Sequence, residues 1–335
     1  MTMAAFSREK QVLELLNLLH HPHIVPLLTS YIHAAKFNLI FPLADASLES
    51  LLSGTATIPA ITHEALWKQL LGITSALDSL HNFTYKKHDI LDLEMIGYHH
   101  DLKPQNVLIK DGVFLLADFG LARLKDPVSQ SGTIHKHGAL TYGAPETLGN
   151  SSRSGRSVGR ALDIWSWGCI LIEVITLELM SPMGVAQFRQ NRTTNTAMRS
   201  DAFFHSAGNL KPEVEIWIDM LRDSPITDKY RFRWLVKSTL DLVKTMLASD
   251  PKRRGSAALV HLQLYEYVKY ATVHTLSDTT GELGKESKRE YKPPPQPSID
   301  PRIAAEEARE NLEEFLGKDH PVMKALALTL AHADN

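Results

Sequence analysis

The chain has 335 residues, 44% of them hydrophobic and 22% charged, with a formal net charge of −2. That balance suits a soluble globular protein with ample core material, and it excludes a global field that would recruit nucleic acid or an anionic membrane. The single cysteine, Cys169, excludes an internal disulfide and points to a reducing compartment, cytoplasmic or nuclear.

Residues Phe6 to Leu19 have helical periodicity, with Phe6, Leu13 and Leu16 among the apolar positions, and Pro22 is expected to end the helix. Glu14 and Asn17 interrupt the apolar run from Val12 to Leu19, so no secretory leader is expected there. His20, His21 and His23 have no carboxylate or cysteine at metal-ligand spacing, which argues against zinc. His23 to Leu28 reads as an extended connection, and Phe37 to Phe41 as a strand stopped by Pro42. Thr62 can cap a helix whose apolar stripe includes Ala65, Leu66, Leu70, Ile73, Leu77 and Leu80. His81 to Ile96 is more polar and reads as a surface insertion, with a translated intron or other gene-model error as the alternative.

Val107 to Ile109 and Val113 to Leu116 are short apolar runs around Asp111-Gly112, a favoured hairpin pair. Residues 118 to 146 are rich in Ser, Thr, Gly and His. Ile164 to Met180 is mostly apolar, but Asp163, Glu173 and Glu178 would be costly in a bilayer centre, so a buried helix of a soluble protein is expected. Beyond Thr275 the composition shifts. Ser277 to Lys292 is charged, Pro293-Pro294-Pro295-Gln296-Pro297 should be an extended spacer, with an SH3 ligand as the alternative, and Ile303 to Leu316 is an amphipathic helix candidate. There is no internal repeat.

The organising stretch is His99-His100-Asp101-Leu102-Lys103-Pro104-Gln105-Asn106-Val107-Leu108, followed by Asp118-Phe119-Gly120. One short loop can aim Asp101, Lys103 and Asn106 at a single point, and the intervening strand pair can bring Asp118 beside them. A carboxylate to orient a hydroxyl, an amide to hold metal and a second carboxylate to bridge phosphates suit magnesium-dependent phosphoryl transfer. The stretch resembles the catalytic loop and metal motif of eukaryotic protein kinases of the serine/threonine type. Ala144-Pro145-Glu146, Asp163-Ile164-Trp165-Ser166-Trp167-Gly168 and Asp250-Pro251-Lys252-Arg253-Arg254 resemble later motifs of the same family.

The resemblance implies an α+β fold with a mainly helical C-lobe and a truncated N-lobe of helix C and about two strands. It implies ATP and Mg2+ as cofactors and a protein substrate as partner; it sets no oligomeric state. Asp101 and Lys103 would be catalytic, and Asn106 and Asp118 would hold metal. Phe41, Pro42, Ala44 and Leu108 would join Asn106 and Asp118 in receiving the nucleotide. Glu9 is expected as the helix-C glutamate, and His99 and Phe119, with Leu13 and Leu27, as packed links between the lobes. Asp163 would hold the backbone of the catalytic loop, and Arg254 would pair with Glu146. The implied divisions are 1–45 for the remnant N-lobe, 46–275 for the C-lobe, 276–300 for a linker and 301–335 for a helical extension.

Three departures from the family pattern stand out. His100 replaces an arginine that would clamp a phosphate, so weak dependence on phosphorylation at Ser129, Ser131 or Thr133 is expected. Ala139 replaces a threonine near the catalytic loop. Only eight residues precede Glu9, without the glycine-rich loop and lysine that the family places there. The expectation is therefore a serine/threonine kinase represented by an incomplete chain or a late-starting gene model. The alternative is a pseudokinase-like scaffold. A small-molecule kinase is disfavoured by the Ala-Pro-Glu and Asp-Ile-Trp-Ser-Trp-Gly motifs.

Overall fold

The computed structural model describes residues 2–34, 36–56, 61–87, 91–125, 140–148, 158–196 and 199–279. The chain divides into two compact units, 1–271 and 272–335, and the first carries every element below apart from the last turns of the final helix. Most of the expected linker and all of the expected helical extension lie outside the described residues.

Helix α1 (Met3–Asn17) begins where the Thr2 side chain accepts the Ala5 N–H at 3.2 Å. It buries Phe6, Val12, Leu13 and Leu16, each worth about 1.5–3 kcal/mol on leaving water. The helix ends ahead of Pro22, where the chain turns through His20 at φ 47°, and Asn17 holds the segment that follows. Its amide donates to Leu27 O at 2.8 Å and accepts from Leu27 N–H at 3.0 Å, pinning the chain's return. Strands β1 (Thr29–His33) and β2 (Lys36–Ile40) then form an antiparallel pair with Thr29 opposite Ile40. Two strands alone are marginal in water. Here the Phe37 ring stacks on Phe6 of α1, with centroids 5.0 Å apart, and so ties the hairpin to the helix.

Strand β3 (Ala46–Ser47) leads into α2 (Leu48–Leu52), which starts with a capping box between Ser47 and Ser50. Helix α3 (His63–His81) is capped by Thr62 and buries Leu66, Trp67, Leu70, Ile73, Leu77 and Leu80. The stretch His81 to Ile96, expected as a surface insertion, instead supplies most of an antiparallel pair of strands, β4 (Asn82–Lys87) and β5 (Leu91–Tyr98), with Phe83 in the core. Gly97 allows that approach: a Cβ there would lie 2.1 Å from the Leu80 carbonyl oxygen.

Strands β6 (Val107–Lys110) and β7 (Val113–Leu116) join β3 in one sheet of order β3-β6-β7. Asp111 and Gly112 take φ of 50° and 77° in the turn between β6 and β7, the left-handed geometry that an Asp-Gly pair accommodates. Strand β8 (Arg123–Lys125) completes the order β4-β5-β8, with Arg123 opposite Tyr98.

Helix α4 (Val158–Asn191) is interrupted at Ser181, φ 64° and ψ 179°, just before Pro182. Among the described residues it alone has the length and composition to cross a membrane, yet its stretch from Ile164 to Ile175 lies almost wholly in the core. Short hairpins follow, β9 (Thr194–Thr196) with β10 (Arg199–Asp201) and β11 (His205–Ser206) with β12 (Asn209–Leu210). Helices α5 (Pro212–Asp223), α6 (Pro225–Lys229), α7 (Arg233–Met246) and α8 (Ala257–Thr279) follow in turn.

A histidine cluster seals the exit from α1 against α3 and α8. His21 Nε2 lies 3.1 Å from Ser75 Oγ, and its Nδ1 accepts the His23 N–H at 3.1 Å. Burial, then the neighbouring His23 and His261, push His21 down to about 4, and burial does the same to His261. An unfolded histidine titrates near pH ~6.5, so between that pH and about 4 the unfolded chain binds more protons and the folded state loses stability. Urea unfolding midpoints should fall as pH drops through this window. The double substitution His21→Gln and His261→Gln should flatten that slope.

Candidate active site

The site is organised by a buried carboxylate. Asp163, 1% exposed near the start of α4, accepts the His99 N–H at 2.7 Å, the His100 N–H at 2.8 Å and a bond with His81 Nε2 at 2.9 Å. Burial alone would raise its pKa, but the His81 bond and the neighbouring histidines hold it below the usual carboxylate range. His100 sits at φ 67°, a costly conformation for a residue with a Cβ, and the Asp163 acceptor helps to keep it there. Its ring stacks on Tyr98 at 4.1 Å. Gly159 makes room for the stack, since a Cβ on it would approach Tyr98 to 2.9 Å.

His99 is fully buried. Its Nδ1 accepts the Asp101 N–H at 3.3 Å, which assigns the ring proton to Nε2, the atom 2.9 Å from Ala117 O. Burial pushes the ring's pKa down, so it stays neutral in this tautomer. The Phe119 ring meets it edge-on at 5.1 Å, and Leu13 and Leu27 belong to the same buried core.

Beyond this support, Asp101, Lys103 and Asn106 converge. Lys103 Nζ donates to Asp101 Oδ2 at 2.7 Å, and Asn106 Nδ2 donates to Asp101 O at 2.8 Å and Oδ2 at 3.1 Å. Asn106 also accepts the Ala117 N–H at its carbonyl, 2.9 Å away, which fixes the chain immediately before Asp118. Asp118 occupies the left-handed region at φ 63°, ψ 71°, with its carboxylate exposed. A Cβ on Gly120 would lie 3.3 Å from Asp118 Oδ1 and 3.5 Å from Glu9 Oε2, so Glu9 hangs over this turn. Burial, and then the charge on Asp118, push Glu9 above the usual carboxylate range. Among the described residues no cation pairs with Glu9.

These groups fit a magnesium ion. The Asn106 Nδ2 is taken up by Asp101, which leaves its Oδ1 as the free donor atom, and Asp118 offers a carboxylate. Two hard oxygen donors suit Mg2+, which keeps several waters and takes phosphate oxygens. Leu108 lies half-buried on β6, facing the same core as half-buried Phe41. Pro42 and Ala44 follow Phe41 in a segment without regular structure, which ends where Asp45 N–H donates to Ile109 O at 2.8 Å.

Farther off, Arg254 closes the large lobe. Its Nη1 and Nη2 donate to Glu146 Oε1 at 2.6 Å and Oε2 at 2.9 Å, while Nη1 also reaches Ala161 O at 3.0 Å. Ser129, Ser131, Thr133 and Ala139 lie outside the described residues. Residues that the motifs did not reveal include His81, Tyr98, Gly159 and Tyr142. A helix-ending histidine such as His81 carries little signal in one sequence.

Two outcomes follow. Asp163→Ala strips two backbone N–H groups and His81 of their acceptor, and should lower stability by roughly 3–5 kcal/mol in urea titrations, the usual cost of opening a buried polar pair. Glu9 has a raised pKa in the fold, so its contribution is present at low pH and is lost as pH rises through the folded value. Glu9→Gln should therefore raise the melting temperature at neutral pH, with the gain vanishing on acidification.

A protein kinase domain model matches residues 2–265. Cyclin-dependent kinase 7 of Xenopus laevis is 31% identical over 166 residues, covering 49% of this chain and 41% of the relative. Mitogen-activated protein kinase 4a of Physcomitrium patens is 34% identical over 187 residues, covering 54% of this chain and 46% of the relative. The chain thus matches less than half the length of either relative. With the loop at Asp101, the turn at Asp118 and the Arg254–Glu146 pair in one unit, and with that match over most of its length, this chain belongs to the protein kinase family.

Proposed function

We propose that the chain transfers the γ-phosphoryl group of ATP to serine or threonine hydroxyls of a protein, in an intracellular setting. The observation that carries this reading is the convergence of Lys103 and Asn106 on the Asp101 carboxylate, at 2.7 Å and 3.1 Å. Such an arrangement has a chemical use at a point where a hydroxyl must be oriented and charge neutralised.

In this reading Asp101 accepts the proton of the substrate hydroxyl as its oxygen bonds to phosphorus. Lys103, on the same carboxylate, steadies the transferring group. Asn106 and Asp118 hold magnesium through oxygen atoms. The bond from the γ-phosphorus to the bridging oxygen would break with ADP as the leaving group, and a magnesium ion held by Asn106 and Asp118 would supply charge neutralisation at the phosphates. Phe41, Pro42, Ala44 and Leu108 line the adenine side. Glu9 adds negative charge beside Asp118 and favours cation occupancy. The buried His99 and Asp163 touch no reactant and keep the loop in register.

The test is transfer of labelled phosphate from Mg-ATP to a mixed serine/threonine peptide library. The wild-type chain should label peptides, and Asp101→Asn or Asp118→Ala should cut the rate by about 10²-fold or more. Equal labelling by wild type and both variants, or none by wild type, would overturn the reading in favour of the scaffold alternative.

A further inference from the structure

We propose that the outer edge of β1 is a self-association surface, on which a second copy of this chain pairs its own β1 antiparallel about a two-fold axis. The product is a four-stranded sheet of order β2-β1-β1-β2. The inference goes beyond the phosphoryl-transfer reading and does not rest on it.

Strands β1 and β2 form a sheet of their own, and among the described residues no other strand pairs with either. The register sets Ser30 opposite Leu39, Tyr31 opposite Asn38 and Ile32 opposite Phe37. Side chains alternate between faces along a strand, so Ser30 and Ile32 share the face of Phe37 and Leu39, and Tyr31 shares the other with Asn38 and Ile40. Helix α1 supports the first face at β2, where Phe37 stacks on Phe6 and Leu39 packs against the core. β1 is left bare on both faces. Leu28, just ahead of it, is 61% exposed, Tyr31 51% and Ile32 52%. With Ile40 they present roughly 400 Å2 of apolar surface, within the range of about 300–600 Å2 at which such a patch is often an interaction site.

An open strand edge offers unpaired N–H and C=O groups to any strand that arrives, and natural edges are guarded by charge or proline. Residues Thr29 to His33 include no acidic residue, no lysine or arginine and no proline. β2, by contrast, carries Lys36. The unguarded edge is thus the one flanked by exposed apolar side chains.

A second copy suits this edge because the strand is complementary to itself. With the axis at Tyr31, Tyr31 meets its own counterpart, Ile32 meets Ser30 and His33 meets Thr29, so no like charges are opposed. Such a cross-strand aromatic pair contributes about 0.2–1 kcal/mol. Leu28 and Ile32 of both copies gather on the opposite face. The contact uses the same patch twice and closes on itself. Its two outward edges are then the β2 strands, each bearing Lys36, which discourages a third copy. Area sets the strength: roughly 400 Å2 of apolar surface per copy is half the ~800 Å2 that each partner gives to a standard interface, so the dimer is reversible rather than obligate.

The experiment is sedimentation equilibrium of the full chain across the micromolar range, which should show a monomer–dimer equilibrium. Ile32→Lys charges an exposed edge residue and should weaken dimerisation about tenfold or more without lowering the melting temperature. Met183→Lys, a charge placed on an exposed residue of α4, should leave dimerisation unchanged. Under mild oxidation Tyr31→Cys should give a disulfide-linked dimer, because opposed Cβ atoms lie about 4.5–5.5 Å apart across an antiparallel pair. Lys36→Cys, on the strand away from the axis, should not. Should Ile32→Lys fail to fold, the two cysteine variants decide the matter. A chain that is monomeric throughout, a dimer indifferent to Ile32→Lys, or crosslinking as ready through Lys36→Cys as through Tyr31→Cys would overturn the inference. None of these readings uses phosphate transfer, so the proposed activity stands or falls separately.

Discussion

The structure depends on the Asp163 carboxylate. It is buried, charged and bonded to three hydrogen donors, two of them backbone N–H groups of consecutive residues. A loop residue in a left-handed conformation ordinarily relaxes. At His100 it cannot, because relaxation would strip a buried charge of its partner. The orientation of the next residue, Asp101, is inherited from this constraint. Lys103 and Asn106 then complete a local set of bonds around that carboxylate. The Asp101–Asn106 loop is thus fixed from beneath, by a helix whose own place is secured by the core.

The same device recurs across the large lobe. Glu173 sits among Arg189, Arg192 and Tyr142, and Glu146 meets Arg254, so charges on otherwise apolar helices mark where a loop is tethered. Tyr142, just ahead of Ala144, and Glu146, just beyond it, are both anchored in this way. Buried ion pairs add little net stability, but losing one partner costs several kcal/mol. They act here as registers for the loops that they hold.

Much of this was legible in the sequence. The Asp101–Asn106 loop, the Asp-Gly hairpin that returns the chain to Asp118 and the apolar helix beginning at Asp163 carry strong local patterns. Arg254 and Glu146 lie 108 residues apart and were paired through motif resemblance, since no local periodicity links them. The pairing of β4 with β5 is hidden in the sequence because polar residues dominate the short window from His81 to Ile96, although Phe83 and Tyr98 are buried. α1 ends at Asn17, two residues short of the periodic stretch to Leu19, and the bonds from Asn17 to Leu27, ten residues ahead, carry no local signal in the sequence. Glu173 was visible as a charge inside an apolar run, which demands a partner, but the identity of that partner depends on the kink at Ser181 that turns Arg189 back towards it.

Glu9 and Asp118 set the electrostatic character of the proposed nucleotide side. Two carboxylates approach each other with burial acting on one of them, and the described residues offer Glu9 no cation in return. A hard divalent cation would relieve that field. The most direct measurement is therefore calorimetric titration of the chain with Mg-ATP, repeated on Asp118→Ala. The account predicts saturable binding by the wild type, strongly weakened in the variant and abolished for both when EDTA removes the metal. Identical heats in wild type and variant, or no binding by either, would contradict it.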